Sequence, residues 1–114
     1  MQDFPARFPK IDAVWAQDDD IAIGVIQAVR QARRQDDLFI VGGGGMKDMV
    51  KRVMDGDELT PVDVLYPPAM IETAMELTVL KFTSQIPVSG EYILGSPLIT
   101  RENAADYYFP DSPF

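Results

Sequence analysis

A chain of 114 residues is the size of one small domain, and 46% hydrophobic with 25% charged residues is the composition of an ordinary globular protein. The net charge of −8 leaves no basic face for phosphates, which argues against nucleic-acid binding, and no run approaches the ~20 apolar residues of a membrane span. Cysteine and histidine are both absent, removing disulfides, thiol nucleophiles, thiolate metal sites, the commonest general base and the commonest zinc ligand.

Met1-Gln2-Asp3-Phe4-Pro5 has neither the basic nor the apolar region of a signal peptide. Met1–Phe8 reads as a short helical piece stopped by Pro9, with little before it to pack against, as expected of a cut inside a longer protein. Ile11–Gln17 reads as a first strand, apolar on both faces like a buried parallel strand, with Trp15 in the core. Asp18 or Asp19 is placed to N-cap a helix whose face is Ile21, Val25, Ala28, Val29 and Ala32. Arg30, Arg33 and Arg34 enrich its C-terminal end with cations, as the helix dipole favours, and Gln35-Asp36-Asp37 makes the turn.

Leu38–Val41 is a second strand, followed by Gly42–Gly45. Met46, Met49, Val50, Val53 and Met54 mark a second amphipathic helix, closed by Gly56. Val62–Leu65 is a third strand, ending at Tyr66-Pro67-Pro68. Pro68 suits the first position of a third helix with Ile71, Ala74, Met75, Thr78 and Phe82 on one face. Beyond Ser84 the pattern breaks: Pro87, Gly90, Gly95 and Pro97 interrupt the short pieces Tyr92–Leu94 and Leu98–Ile99. Thr100 then caps a short helix, with Asn103 three residues on. The aromatic, proline-rich end, Asp106 to Phe114, is expected to pack on a surface.

Repeated β-then-α order implies an α/β fold with a parallel sheet, and ligands of such sheets sit beyond the carboxyl ends of the strands. Asp18, Gly43–Gly44 and Tyr66 are therefore expected side by side. Of Asp18-Asp19-Asp20, Asp19 or Asp20 belongs to the helix start, while Asp18 at the strand tip is the one placed to meet a ligand. As a metal site the run is weak, because adjacent carboxylates on a turn point apart. Gly42–Gly45 lacks the Gly-Lys-Ser/Thr ending and the dinucleotide spacing. It is read as glycine used where backbone turns sharply or a ligand comes close. Tyr66, exposed at a tip, suits stacking on a sugar ring.

Phe8-Pro9-Lys10-Ile11-Asp12-Ala13-Val14-Trp15-Ala16-Gln17-Asp18-Asp19, followed by Ile21-Ala22-Ile23-Gly24, resembles the "AQND-x-MA-x-G" segment of periplasmic sugar-binding proteins of ABC importers, the ribose-binding type above all. Val41-Gly42 resembles that family's "VG-x-DG" strand end, and Lys51–Gly56 its helix ending in Asp-Gly. Tyr66-Pro67-Pro68-Ala69-Met70 is similar to its strand tip and next helix, and Leu98–Asn103 to its closing "hV-T-x-E-N". The resemblance implies a three-layer α/β/α, flavodoxin-like lobe, of which this chain holds strands 3, 4 and 5 of the order 2-1-3-4-5. Residues 1–86 are then a partial C-terminal lobe, and 87–114 a crossover strand and tail packed on it.

By position, Asp18 corresponds to a ligand-binding Asn of the family. Gly44 falls where a sugar-binding Asp is usual, and Tyr66 where ribose binders have Gln. The resemblance implies a periplasmic solute-binding component that takes a monosaccharide or polyol and delivers it to ABC permease membrane subunits. It implies no enzyme, no catalytic residue, no cofactor and no metal. With strands 1 and 2 absent, Ile11–Gln17 is expected to be an open edge through which copies of the chain associate. The nearest rival is the effector-binding core of a lac-repressor-type regulator, which shares this lobe. A magnesium-binding phosphoacceptor at Asp18–Asp20 needs a further Asp at a neighbouring tip, where Gly44 and Tyr66 stand instead.

Overall fold

Short strands apolar on both faces, and two helices that cover one of those faces, build this molecule. The computed structural model describes residues 3–84 and 87–113. Met1, Gln2, Gln85, Ile86 and Phe114 lie outside the described residues, and with them the start of the expected Met1–Phe8 piece and the expected boundary at residue 86.

In chain order the elements are α1 (Phe4–Arg7), β1 (Ala13–Trp15), α2 (Asp19–Gln31), β2 (Phe39–Val41), α3 (Lys47–Asp55), β3 (Val62–Val64), α4 (Met70–Thr83), β4 (Leu98–Thr100) and α5 (Ala104–Tyr107). The sheet order is β1-β2-β3-β4. β1, β2 and β3 run parallel, with Val14 beside Ile40 and Val41 beside Val62. Pairing continues past the formal strand ends: Ala16 N–H donates to Val41 O at 2.9 Å and Gly44 N–H to Val64 O at 2.8 Å.

That register puts Val14, Ala16, Ile40, Gly42 and Asp63 on one face, joined by Ile99 of β4 opposite Asp63. This face is the core. Ala22, Val25, Ile26 and Val29 of α2 bury against Ile40, with Met49 of α3 and Leu59. Val50 and Val53 of α3 bury against Ile99 and Ala104, covered by Tyr107 and Tyr108 of the tail. α2, α3 and α5 thus make one helical layer, because residues spaced three and four apart on each helix are apolar. Gly56 closes α3 in the left-handed conformation, φ 79°, as its position after Asp55 led one to expect.

The opposite face carries Trp15, Phe39, Val41 and Val62, and no helix covers it among the described residues. Trp15, expected in the core, is 74% exposed. The flavodoxin-like sheet and one of the two expected helical layers are therefore present. The face expected for the third helix (Ile71, Ala74, Met75, Thr78 and Phe82) forms as a helix, but α4 buries none of its residues. Because α4 stands off the sheet, the molecule measures 60 × 31 × 22 Å.

β4 pairs antiparallel with β3, Leu98 beside Val64 and Thr100 beside Val62. The reason is where the chain returns. α4 does not cross back over the sheet, so residues 87–97 re-enter at the carboxyl end of β3, where Leu65 N–H donates to Pro97 O. A strand entering there can only run downwards. Asn103, not Thr100, makes the turn that follows: its Oδ1 accepts from Thr100 N–H at 2.7 Å and its Nδ2 donates to Leu98 O at 3.0 Å.

Candidate functional site

The tips of β1, β2 and β3 come together as one row, tied by side chains from two of them. Asp18 ends β1 in extended conformation, and its Oδ1 accepts from Asp20 N–H at 2.9 Å, so it is the N-cap of α2. Its remaining carboxylate oxygen faces solvent. The next residue does different work. Asp19 is 1% exposed; its Oδ1 accepts from Gly43 N–H at 2.8 Å and its Oδ2 from Gly45 N–H at 3.1 Å and Met46 N–H at 2.7 Å. Met46 begins α3 and has no capping side chain of its own. Asp19 therefore caps α3 from the first turn of α2 and fixes the glycine loop between them.

Tyr66 lies across the row from the third tip. Its hydroxyl donates to the carbonyl of Gln17, and its ring covers Gly43, where a Cβ atom would sit 2.6 Å from Cε1. Only glycine allows that approach. Gly44, φ 132°, forms a parallel bridge to Leu65 beside it. Burial, reinforced by Asp18, Asp19 and Asp63 nearby, raises the Tyr66 phenol above its ordinary value and keeps it a neutral donor. Asp18, Gly44 and Tyr66 are thus neighbours, arranged as the strand-tip rule led one to expect.

Sequence reasoning missed Asp63. It lies in β3 between Val62 and Val64, fully buried, with Oδ1 accepting from Val64 N–H at 2.8 Å and Oδ2 unpartnered. It reaches the same place as Asp19: a Cβ on Gly42 would lie 2.5 Å from Oδ1 of Asp19 and 3.0 Å from Oδ1 of Asp63. A lone carboxylate among valines on a buried strand was the available signal. Burial and the Asp19 charge push Asp63 up to about 7, and burial likewise raises Asp19 against the pull of its three N–H donors.

Beside the row, Lys47 at the start of α3 donates to Pro110 O at 3.3 Å and Ser112 O at 2.9 Å, which ties the end of the chain to α3. A cavity of about 170 Å³ opens between Lys47, Leu65, Pro67, Tyr107 and Phe109. Among the described residues no cluster of three or more carboxylates is arranged to hold a metal ion, and no helix is long and apolar enough to cross a membrane.

Residues 1–80 match the periplasmic binding protein domain. The chain belongs to the periplasmic binding protein family. It is 38% identical over 56 residues to the ribose import binding protein of Escherichia coli, a match covering 49% of this chain and 19% of that protein. A solute-binding protein of an ABC transporter from Mycobacterium smegmatis, solved with bound glycerol, superimposes over 96% of this chain and 38% of its own, with a TM-score of 0.81 and 25% identity. The myo-inositol binding protein of Caulobacter, solved with myo-inositol, superimposes with a TM-score of 0.69 and 26% identity over 83% of this chain and 32% of its own. This family member thus spans about a third of the length of the solved proteins it resembles.

Proposed function

We propose that the chain is part of the solute-binding component of an ABC-type sugar import system, and that Asp18, Gly44 and Tyr66 form one wall of a cleft for a monosaccharide or polyol. The single observation that carries this is the row itself: three strand tips of a sugar-binding fold held together by Tyr66, with an exposed carboxylate and an aromatic ring side by side. A carboxylate accepts from two vicinal hydroxyls, and an aromatic face suits the C–H surface of a sugar or cyclitol. Gly44 offers no side chain, which leaves room for a bulkier ligand. The relatives solved with glycerol and myo-inositol support a polyhydroxylated ligand.

On this reading the protein is not an enzyme. It works in the periplasm and hands its cargo to ABC permease membrane subunits. Residues 1–86 act as the partial lobe, and 87–114 as the returning strand and tail. The regulator reading draws no support from the transport proteins described above. The test is an NMR titration of the chain with ribose, myo-inositol and glycerol at millimolar concentration. Amide shifts centred on Asp18, Gly44 and Tyr66, lost in Tyr66→Ala, support the proposal. Shifts elsewhere, or none, overturn it.

A further inference from the structure

Beneath the row lies a pair of carboxyl groups that no ligand contact requires. Asp19 and Asp63 are both buried, come from different elements, and each brings an Oδ1 to the backbone of Gly42, where a Cβ would lie 2.5 Å from the one and 3.0 Å from the other. Two ionised carboxylates this close in a buried site repel each other. The pair is better off holding one proton. Asp19 already accepts three backbone N–H groups and is best satisfied as the anion. Asp63 accepts a single backbone N–H and leaves its other oxygen bare in a buried site, so of the two it is the one better off neutral.

We infer that Asp63 is a positioning residue of the strand-tip row: protonated, it holds Asp19 in place, Asp19 holds the backbone of Gly43, Gly45 and Met46, and loss of the proton loosens that loop. The consequence for ligand affinity rests on the reading of the row as a sugar site; the mechanical link does not.

The surroundings leave the proton no substitute. Among the described residues no Lys or Arg forms an ion pair with either carboxylate. From the start of α2 come two more acids, Asp18 and Asp20. At the start of α3, Lys47 is engaged by the carbonyls of Pro110 and Ser112, Asp48 is exposed, and Met49 presents a methyl group. β2 contributes glycine backbone. β4 places Ile99 opposite Asp63, and Arg101 packs instead at Gly56, at the other end of α3. Tyr66 presents a phenol already bonded to Gln17. Deprotonation therefore creates two buried anions with no cation to share.

The direction of the effect follows. Burial and the Asp19 charge push Asp63 up to about 7, so the pair is expected to lose its proton around neutrality. The test is an NMR pH titration of the whole chain from about pH 5 to about pH 9, following the Asp63 carboxyl carbon and the amides of Gly43, Gly45 and Met46. The expected result is one shared inflection near neutrality, with protection of the Gly43 and Gly45 amides from exchange falling about tenfold across it. Asp63→Asn, which keeps a donor and cannot ionise, is expected to hold those amides at their low-pH positions throughout. An Asp63 carbon that titrates at the ordinary carboxylate value overturns the inference, and needs no variant to fold. So does an inflection of the loop amides that survives in Asp63→Asn. Absence of sugar binding leaves this titration untouched, so the two readings fail separately.

Discussion

Gly43 and Tyr66 are complementary in the strict steric sense. Gly43→Ala places a methyl group 2.6 Å from Cε1 of Tyr66 and 2.9 Å from its hydroxyl oxygen, so the ring must leave the Gln17 carbonyl. A loss of about 1–3 kcal/mol is expected in urea unfolding. Most of it should vanish in a Tyr66→Ala background, and a penalty that persists there shows that the ring is not the cause. Asp19→Ala strands the amides of Gly43, Gly45 and Met46, and is expected to cost about 2–4 kcal/mol, with Asp19→Asn milder because it keeps an acceptor. Equal losses for both variants count against this account. Asp63 gives a signed pH dependence. Its folded value of about 7 exceeds the unfolded 3.8, so the folded chain holds the extra proton between those values. The contribution of Asp63 to stability is expected to be full below about pH 4 and to fall as pH rises towards 7, by up to about 1.4 kcal/mol per unit, then to level off. Unfolding midpoints across that range, flat in Asp63→Asn, measure it. At this scale Asp18, Gly44 and Tyr66 were legible because strand-tip residues of parallel sheets share one edge. Asp63 was not, since its partner is distant in sequence and nothing local marks a carboxyl that keeps its proton.

Among the elements, α2 and α3 could be read from their apolar spacing because the sheet face they cover is part of this chain. Gly56 could be read because αL closure leaves few other choices. α4 shows the limit of the same rule. Its apolar positions predict a helix correctly, but periodicity says only that a face wants covering, and none of its residues is buried. The same holds for Trp15, whose strand is apolar on both sides while only one side is packed. The direction of β4 is set by where residues 87–97 re-enter, a fact no window of sequence contains. An uncovered helix owes its order to its own backbone alone. Amide exchange in α4 is therefore expected to run orders of magnitude faster than at Val25–Val29 of α2. Comparable protection in the two helices would mean that α4 is covered in solution.

For the molecule as a whole, the chain spans about a third of the solved proteins it resembles, and under the proposed function it holds one wall of the cleft. Calorimetry on the chain alone should find sugar affinity weaker than micromolar, since binding surface scales with the contacts a ligand makes on both sides; micromolar binding contradicts this. β1 is an edge, and beside it Trp15 and Phe39 lie on an uncovered face. Copies of the chain are expected to associate along it, to be seen by size-exclusion chromatography with light scattering and weakened by Trp15→Glu. A clean monomer at high concentration rules this out. The far side of the sheet decides how such association ends. Asn103 already occupies the outward-pointing amide of Thr100 and carbonyl of Leu98. A ribbon that lengthens indefinitely needs adhesive borders left and right, and here one border is sealed by its own side chain. Association along β1 is therefore expected to join two copies about a twofold axis and to stop at the pair.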